Sequence, residues 1–311
     1  MRILFIGSPP FGIPSFEAVL SSGHEVVGLI TPPEKRGGRG LSTTANNLVS
    51  LAESSGIPVL RPPVASGGES LAALEKLRPD LGVVVSYGQI LTAEFLNLPR
   101  FGCINLHGSL LPRWRGASPV QASILAGDAS TGVCVQKMVL ALDAGPVLLS
   151  RRVKIGARET GPSLQASLAQ EGGLLLESLF TSLGEGPLPP GEEQDPECVT
   201  ICRKVQKEDG RLDWGLSATE IDRCVRAYSG WPWAFTSLAG EDYVRILGGR
   251  VAANVEGESP GVIVTADEEG LVVACGDGSF LITEIQRPGR QALPVAEFLR
   301  GFPLAPGDRI K

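Results

Sequence analysis

Leu81-Gly82-Val83-Val84-Val85-Ser86 is apolar without a break until its last residue, and a strand with no polar face has to be covered on both sides. Helices packed on the two faces of a mostly parallel sheet supply that cover. The start of the chain has the matching form. Residues 2–6 read as a buried strand, Gly7-Ser8-Pro9-Pro10-Phe11-Gly12 forces a turn, Phe16, Val19 and Leu20 then recur at helical spacing, and residues 25–31 form a second strand. Strand, helix, strand with a Gly-rich first turn predicts an α/β fold: a doubly wound, mostly parallel, Rossmann-like sheet. The glycines are not spaced G-x-G-x-x-G, and Ile30-Thr31-Pro32 closes the second strand where an acidic residue would hold a ribose, so a dinucleotide site is not supported.

The same alternation continues, with helices predicted over 44–55, 70–77, 118–126 and 162–183 and strands over 58–61, 103–106, 133–138 and 147–155. In the last helix Leu164, Leu168, Leu175 and Leu179 share one face. Residues 184–197 then hold Leu188 as their only apolar side chain apart from prolines. Such a segment cannot bury a core and reads as an extended connector. The expected organisation is a catalytic domain over 1–183, a linker over 184–200 and a second domain over 201–311. Beyond the connector one helix, 217–226, precedes short strand-like runs at 233–238, 243–247, 261–264, 270–275 and 279–285. Short strands at regular spacing predict a small OB-like β-barrel, a fold suited to binding.

Composition excludes several classes. At 43% apolar and 20% charged the chain is ordinary globular protein. Residues 1–7 are too short for a signal peptide core, and nothing reaches the roughly 20 apolar residues of a membrane span, so a cytoplasmic protein with no membrane partner is expected. The six cysteines are scattered, and Cys198 and Cys202 match no common zinc spacing, so all are expected as buried or half-buried small hydrophobes. The net charge is −6 and is shared evenly, −3 in residues 1–200 and −3 in 201–311. That argues against DNA binding and confines any RNA contact to a local patch.

Chemistry points to one stretch, Cys103-Ile104-Asn105-Leu106-His107-Gly108-Ser109-Leu110-Leu111-Pro112-Arg113-Trp114-Arg115-Gly116. Asn105 and His107 are two apart on a strand and so share a face, and His107 is one of only two histidines. The turn Tyr87-Gly88-Gln89-Ile90-Leu91 follows the central strand and would neighbour the His107 loop at the carboxyl edge of the sheet. Asp143, on the sharp turn Leu142-Asp143-Ala144-Gly145, is either a partner for His107 or an ordinary Asx turn. Lys35, Arg36 and Arg39 stand among glycines in residues 32–42, which fits a phosphate-contacting loop or a plain solvated one. An amide can stabilise an oxyanion and an imidazole paired with a carboxylate can move a proton, the parts needed for moving a carbonyl group onto an amine. There is no G-x-S-x-G elbow to make Ser109 a nucleophile, and two histidines do not make the usual metal cluster.

Asn105-Leu106-His107-Gly108-Ser109-Leu110-Leu111-Pro112 with Arg113-Trp114-Arg115-Gly116 resembles the signature of folate-dependent formyltransferases. Gly127-Asp128 to Thr131-Gly132 and Leu142-Asp143-Ala144-Gly145 resemble that family's next two blocks. With the opening strand, the Gly38-Arg39-Gly40 loop and a C-terminal barrel, the likeness spans essentially the whole chain. It is nearest to the branch that formylates the methionine amine of initiator methionyl-tRNA from 10-formyltetrahydrofolate. The resemblance implies that Asn105 and protonated His107 act on the oxyanion, with Asp143 holding His107 and helping to take the amine proton through water. It implies folate binding by Ser109, Leu110, Leu111 and Pro112, with Tyr87, Gly88, Ile90 and Leu91 lining the pocket, and no metal. Arg39 would meet the tRNA acceptor end and the barrel its acceptor arm, in a monomeric enzyme. Arg113 and Arg115 would meet either phosphate or the folate tail. A sugar-nucleotide N-formyltransferase is the rival, and the Gly38-Arg39-Gly40 loop favours tRNA. The family's loop usually carries further lysines where Leu41 and Ser42 stand. A modest electrostatic contribution to RNA binding is therefore expected, carried by Arg39, Lys35, Arg36, Lys204 and Lys207.

Overall fold

The computed structural model of the chain describes residues 1–33, 47–184, 186–238, 241–253 and 257–311. It divides into two compact units: Met1–Pro119 with Ser130–Lys154 and Leu164–Cys202, and Val120–Ala129 with Ile155–Ser163 and Arg203–Lys311. In the first unit seven strands form one sheet, in the order Val59–Leu60, Glu25–Ile30, Arg2–Gly7, Leu81–Val85, Cys103–His107, Ser130–Lys137, Val147–Lys154. The first five pair in parallel, and Ser130–Lys137 is inserted antiparallel between Cys103–His107 and Val147–Lys154. This is the doubly wound, mostly parallel sheet expected. Every residue of Leu81–Val85 is buried, which is the two-sided cover that an unbroken apolar strand demands.

Helix packing fixes which strand face is left for chemistry. The helix Gly161–Leu183 buries Leu164, Leu168, Leu175 and Leu179, the stripe its spacing predicts. Gly172 lets this helix approach closely, because a Cβ there would collide with the side chain of Leu106. Leu106 therefore faces the helix. Its neighbours Asn105 and His107, by strand alternation, point to the opposite face.

The connector is fastened along the first unit. Val147 and Glu192 exchange backbone hydrogen bonds of 2.8 Å each way, and Ile201–Cys202 pairs in parallel with Arg115–Gly116. Cys198 departs from expectation: it is exposed, in the one-turn 3-10 helix Pro196–Cys198, with its Sγ 3.4 Å from Asp195 Oδ2. The other five cysteines are buried or half-buried. A polar, proline-flanked turn has no core within reach.

In the second unit Ala234–Leu238, Glu241–Ala252, Ser279–Gln286, Leu271–Ala274 and Ile263–Ala266 follow one another in an antiparallel sheet, and Ala292–Pro294 adds to Ser279–Gln286. Residues 308–311 tie the two outer strands together. Ser237 and Lys311 exchange backbone bonds of 2.6 and 3.0 Å, Ile310 donates to Gly261 at 2.8 Å, and Ile263 donates to Asp308 at 2.8 Å. The sheet is thereby curled into a half-barrel, less closed than the barrel expected, around Trp214, Ile221, Val244, Ile246, Phe280 and Ile282. Helix Ala218–Ala227 begins with a reciprocal Ser217–Glu220 capping box. From it Asp222 accepts from Arg226 Nε at 2.7 Å and from Arg158 Nη1 at 3.2 Å, while Arg226 also donates to the carbonyl of Glu159 at 2.9 Å. These bonds hold residues 155–163 in the second unit.

Candidate active site

Antiparallel pairing of Cys103–His107 with Ser130–Lys137 sets Gln136 opposite Asn105 and Cys134 opposite His107, so all four side chains share one face. Asp143 comes to this face from the turn after Ser130–Lys137. Its Oδ1 accepts from Gln136 Nε2 at 3.0 Å and from Asn105 Nδ2 at 3.5 Å, and its Oδ2 accepts from the backbone N–H of Gly116 at 2.9 Å. His107 Nδ1 lies 3.6 Å from Oδ2, an ion-pair distance, with the two side chains only 6% and 12% exposed. His107 Nε2 sits 2.9 Å from the carbonyl oxygen of Trp114. A carbonyl only accepts, so Nε2 carries a hydrogen and donates, which leaves Nδ1 as the nitrogen that gains or loses a proton beside Asp143. Asn105, His107 and Asp143, expected on separate sequence signals, thus converge.

The loop after His107 is held from inside. Ser109 is fully buried and its hydroxyl donates to the carbonyl of Arg113 at 2.6 Å, so it braces the loop and has no base to activate it. Leu110, Leu111 and Pro112 are half-buried in the same loop, across a cis Leu111–Pro112 bond. Arg113 is exposed, with its guanidinium 4.3 Å from the Trp114 ring centre. From the connector, Thr200 Oγ1 accepts from Trp114 N–H at 2.8 Å and the Thr200 carbonyl accepts from Arg115 N–H at 2.9 Å. Arg115 is turned to the connector as well, its Nε donating to Gln194 Oε1 at 3.0 Å.

Gln194 and Gln136 are site residues that the sequence reading missed. Gln194 Nε2 donates to the carbonyls of Asp143 and Gly145 at 2.8 and 2.7 Å and lies 3.3 Å from Gln136 Oε1. Gln136 had a signal: the strand alternation that selects Asn105 and His107 selects it once the register is known. Gln194 had none, because it stands in a stretch whose composition reads as spacer.

The turn after Leu81–Val85 gives a mixed surface. Leu91 is buried, Ile90 and Gly88 are exposed, and Tyr87 packs half-buried against the core that includes Leu4, Ile6 and Leu91. The Tyr87 hydroxyl is buried with no hydrogen-bond partner among the described residues, and burial pushes its pKa up. Burial also pushes the Cys134 thiol up to about 11 and Cys103 to about 12, so neither offers a thiolate beside His107. Among the described residues no group of three or more metal-ligating side chains comes together.

Lys35, Arg36 and Arg39 lie outside the described residues. On the second unit Lys204 and Lys207 are exposed, and Lys207 Nζ sits 5.5 Å from the Tyr243 ring centre. Tyr243 stacks on Phe235 at 4.4 Å, and Arg245 and Arg211 lie over those two rings at 5.7 and 5.2 Å. This basic and aromatic cluster adds Arg211 and Arg245 to the cations expected from sequence.

Comparison with known proteins agrees with this geometry. Residues 1–179 match the formyl transferase model and residues 204–303 the formyl transferase C-terminal domain model. The methionyl-tRNA formyltransferase of Dechloromonas aromatica is 40% identical over 310 residues, covering 100% of this chain and 99% of that protein. The methionyl-tRNA formyltransferase of Xanthomonas campestris is 43% identical over 299 residues, covering 96% and 97%. Among solved structures, HypX from Aquifex aeolicus in complex with tetrahydrofolic acid shares the fold at TM-score 0.62 and 18% identity, over 96% of this chain and 47% of that one. Two matching domains and full-length relatives at 40 and 43% identity leave one assignment: the chain belongs to the formyl transferase family.

Proposed function

We propose that the chain transfers the formyl group of 10-formyltetrahydrofolate to the α-amine of methionyl initiator tRNA, in support of translation initiation. The observation that carries the reading is the convergence of Asn105, His107 and Asp143 on one sheet face, in a chain aligned end to end with methionyl-tRNA formyltransferases. The bound folate supplies an activated formyl group. Leu110, Leu111 and Pro112 with Tyr87, Gly88, Ile90 and Leu91 are the proposed folate-binding residues, offering apolar surface and backbone donors and acceptors rather than charge, while the fully buried Ser109 acts from behind by bracing their loop.

Each catalytic side chain has one task in this scheme. Asn105 holds Asp143 only at 3.5 Å, so its amide is available to donate to an oxyanion as the amine attacks. His107, anchored through Nε2 on Trp114, presents Nδ1 as the proton-carrying atom, and the charge it gains is balanced by Asp143. Asp143 helps by orienting the water that carries the amine proton to His107, and that proton passes to the folate nitrogen as its bond to the formyl carbon breaks, so Asp143 stays ionised throughout. No enzyme nucleophile is needed, which agrees with the buried, inward-donating Ser109 and the neutral thiols of Cys103 and Cys134. In the second unit Lys204 and Lys207, with Arg211 and Arg245, form the proposed tRNA contact, joined by Lys35, Arg36 and Arg39. The active form is proposed as a cytoplasmic monomer that binds neither DNA nor membrane; no helix among the described residues is long and apolar enough to cross one.

The test offers the purified chain 10-formyltetrahydrofolate with charged initiator tRNA or, separately, with an amino sugar nucleotide, the acceptor of the rival class. Formyl-methionyl-tRNA as the only product is expected. Formylation of the sugar nucleotide alone would overturn the assignment.

A further inference from the structure

Asp143 is a non-glycine residue at φ 48°, a left-handed conformation that costs on the order of 1 kcal/mol and persists only when its surroundings hold it. Around it runs one chain of hydrogen bonds of fixed direction. Arg115 Nε can only donate, so Gln194 presents Oε1 to it at 3.0 Å. Gln194 Nε2 is thereby turned to three acceptors: the carbonyls of Asp143 and Gly145 at 2.8 and 2.7 Å, and Gln136 Oε1 at 3.3 Å. Gln136 in turn directs Nε2 to Asp143 Oδ1 at 3.0 Å. Every donor in the chain points toward Asp143, and bonds aligned head to tail strengthen one another. Gln136 is 2% exposed, so no water replaces its amide at low cost.

We infer that Arg115, Gln194 and Gln136 are positioning residues for formyl transfer, a directed relay that clamps the Asp143 turn and orients the carboxylate toward Asn105 and His107. The inference rests on the proposed formyl-transfer reading. It assigns a role to Arg115 that is neither a phosphate nor a folate-tail contact, and it makes the connector part of the catalytic machinery through Gln194. None of the three residues reaches the reacting atoms in this scheme. They act through Asp143.

The test is a mutant cycle on formyl transfer to methionyl-tRNA, with kcat and both KM values measured. Gln194→Glu keeps size and still accepts from Arg115, but loses the donor; Gln194→Met removes both. Both variants should lower kcat roughly 10- to 100-fold, the loss of two to three hydrogen bonds to the turn, with both KM values within about threefold. Gln136→Met, made from the other end of the relay, should show the same split if a Gln194 variant folds poorly. In an Asp143→Asn background the Gln194 and Gln136 substitutions should cost less than about twofold more, because residues acting through one group are not additive. Equal further losses in that background would overturn the relay, as would Gln194→Glu with wild-type kcat, or raised KM at unchanged kcat. An unmodified chain that transfers no formyl group to methionyl-tRNA would instead overturn the functional reading.

Discussion

Asp143→Asn keeps the shape of the carboxylate and removes its charge. The magnitude follows from the contacts. A full charge pair near 4 Å at an effective dielectric of about 20 is worth about 4 kcal/mol, and His107 Nδ1 stands 3.6 Å from Oδ2 with both side chains largely buried. If most of that interaction develops only as His107 becomes charged in the transition state, the loss is about 3 kcal/mol, or roughly two hundredfold in rate. The replacement amide also has nowhere to put its NH2. Oδ1 faces the NH2 groups of Gln136 and Asn105, and Oδ2 faces the Gly116 N–H, so either orientation sets a donor against a donor and adds about 1–3 kcal/mol of strain or rotation. The expected fall in kcat is therefore roughly a thousand- to a few ten-thousandfold. Single-turnover transfer at saturating folate and charged tRNA isolates the chemical step. A loss below tenfold, with KM unchanged, would refute the assignment of Asp143 as the group that balances His107.

Four further outcomes follow from the structure. His107→Ala should abolish transfer while tRNA still binds in a filter or mobility assay, and full retained activity would remove His107 from the mechanism. Lys207→Ala should flatten the dependence of tRNA affinity on salt by nearly one unit of logarithmic slope, measured as Kd against salt concentration; an unchanged slope would take Lys207 out of the contact. Asp222→Ala leaves Arg226, only 13% exposed, without its carboxylate and should lower the stability of the full chain by about 3 kcal/mol in urea unfolding. Burial pushes Tyr228 up to about 12 from an ordinary value of 10.0, so its neutral phenol contributes stability that is fully present below pH 10 and is lost as pH rises from 10 toward 12. Tyr228→Phe should make that alkaline loss measurably shallower, and an identical profile would refute the cause.

The sheet was legible because its signals are local. The unbroken apolar Leu81–Val85 dictates burial on both faces, and leucines at helical spacing in Gly161–Leu183 dictate which side packs. The second sheet was legible from its strand spacing, except at the three-residue strand Ala292–Pro294 and the short helix Val295–Gly301, each too short to carry a period. Asn105 and His107 declare themselves by alternation on one strand. Gln194 does not, because its partners Asp143 and Arg115 are 51 and 79 residues away, and a polar residue among prolines and acids looks the same whether it faces water or a clamped turn.

The antiparallel edge explains why Asp143 had to be held so firmly. In a parallel sheet the loop after a neighbouring strand would emerge beside the loop after His107. Here Ser130–Lys137 runs the other way: Cys134 lies level with His107, and Lys137 lies level with Ile104. The turn after Lys137 therefore leaves near the start of Cys103–His107, with Met138 N–H bonded to the carbonyl of Cys103 at 2.8 Å and Lys137 N–H to that of Pro146 at 2.9 Å. The intervening residues have to fold back across the sheet face to bring a carboxylate to Asn105 and His107, which demands the left-handed Asp143. Such a fold-back exposes its own carbonyls. Gln194 takes two of them, those of Asp143 and Gly145, and the clamped turn thereby holds its carboxylate over Asn105 and His107, the middle and last residues of their strand, toward the carboxyl edge.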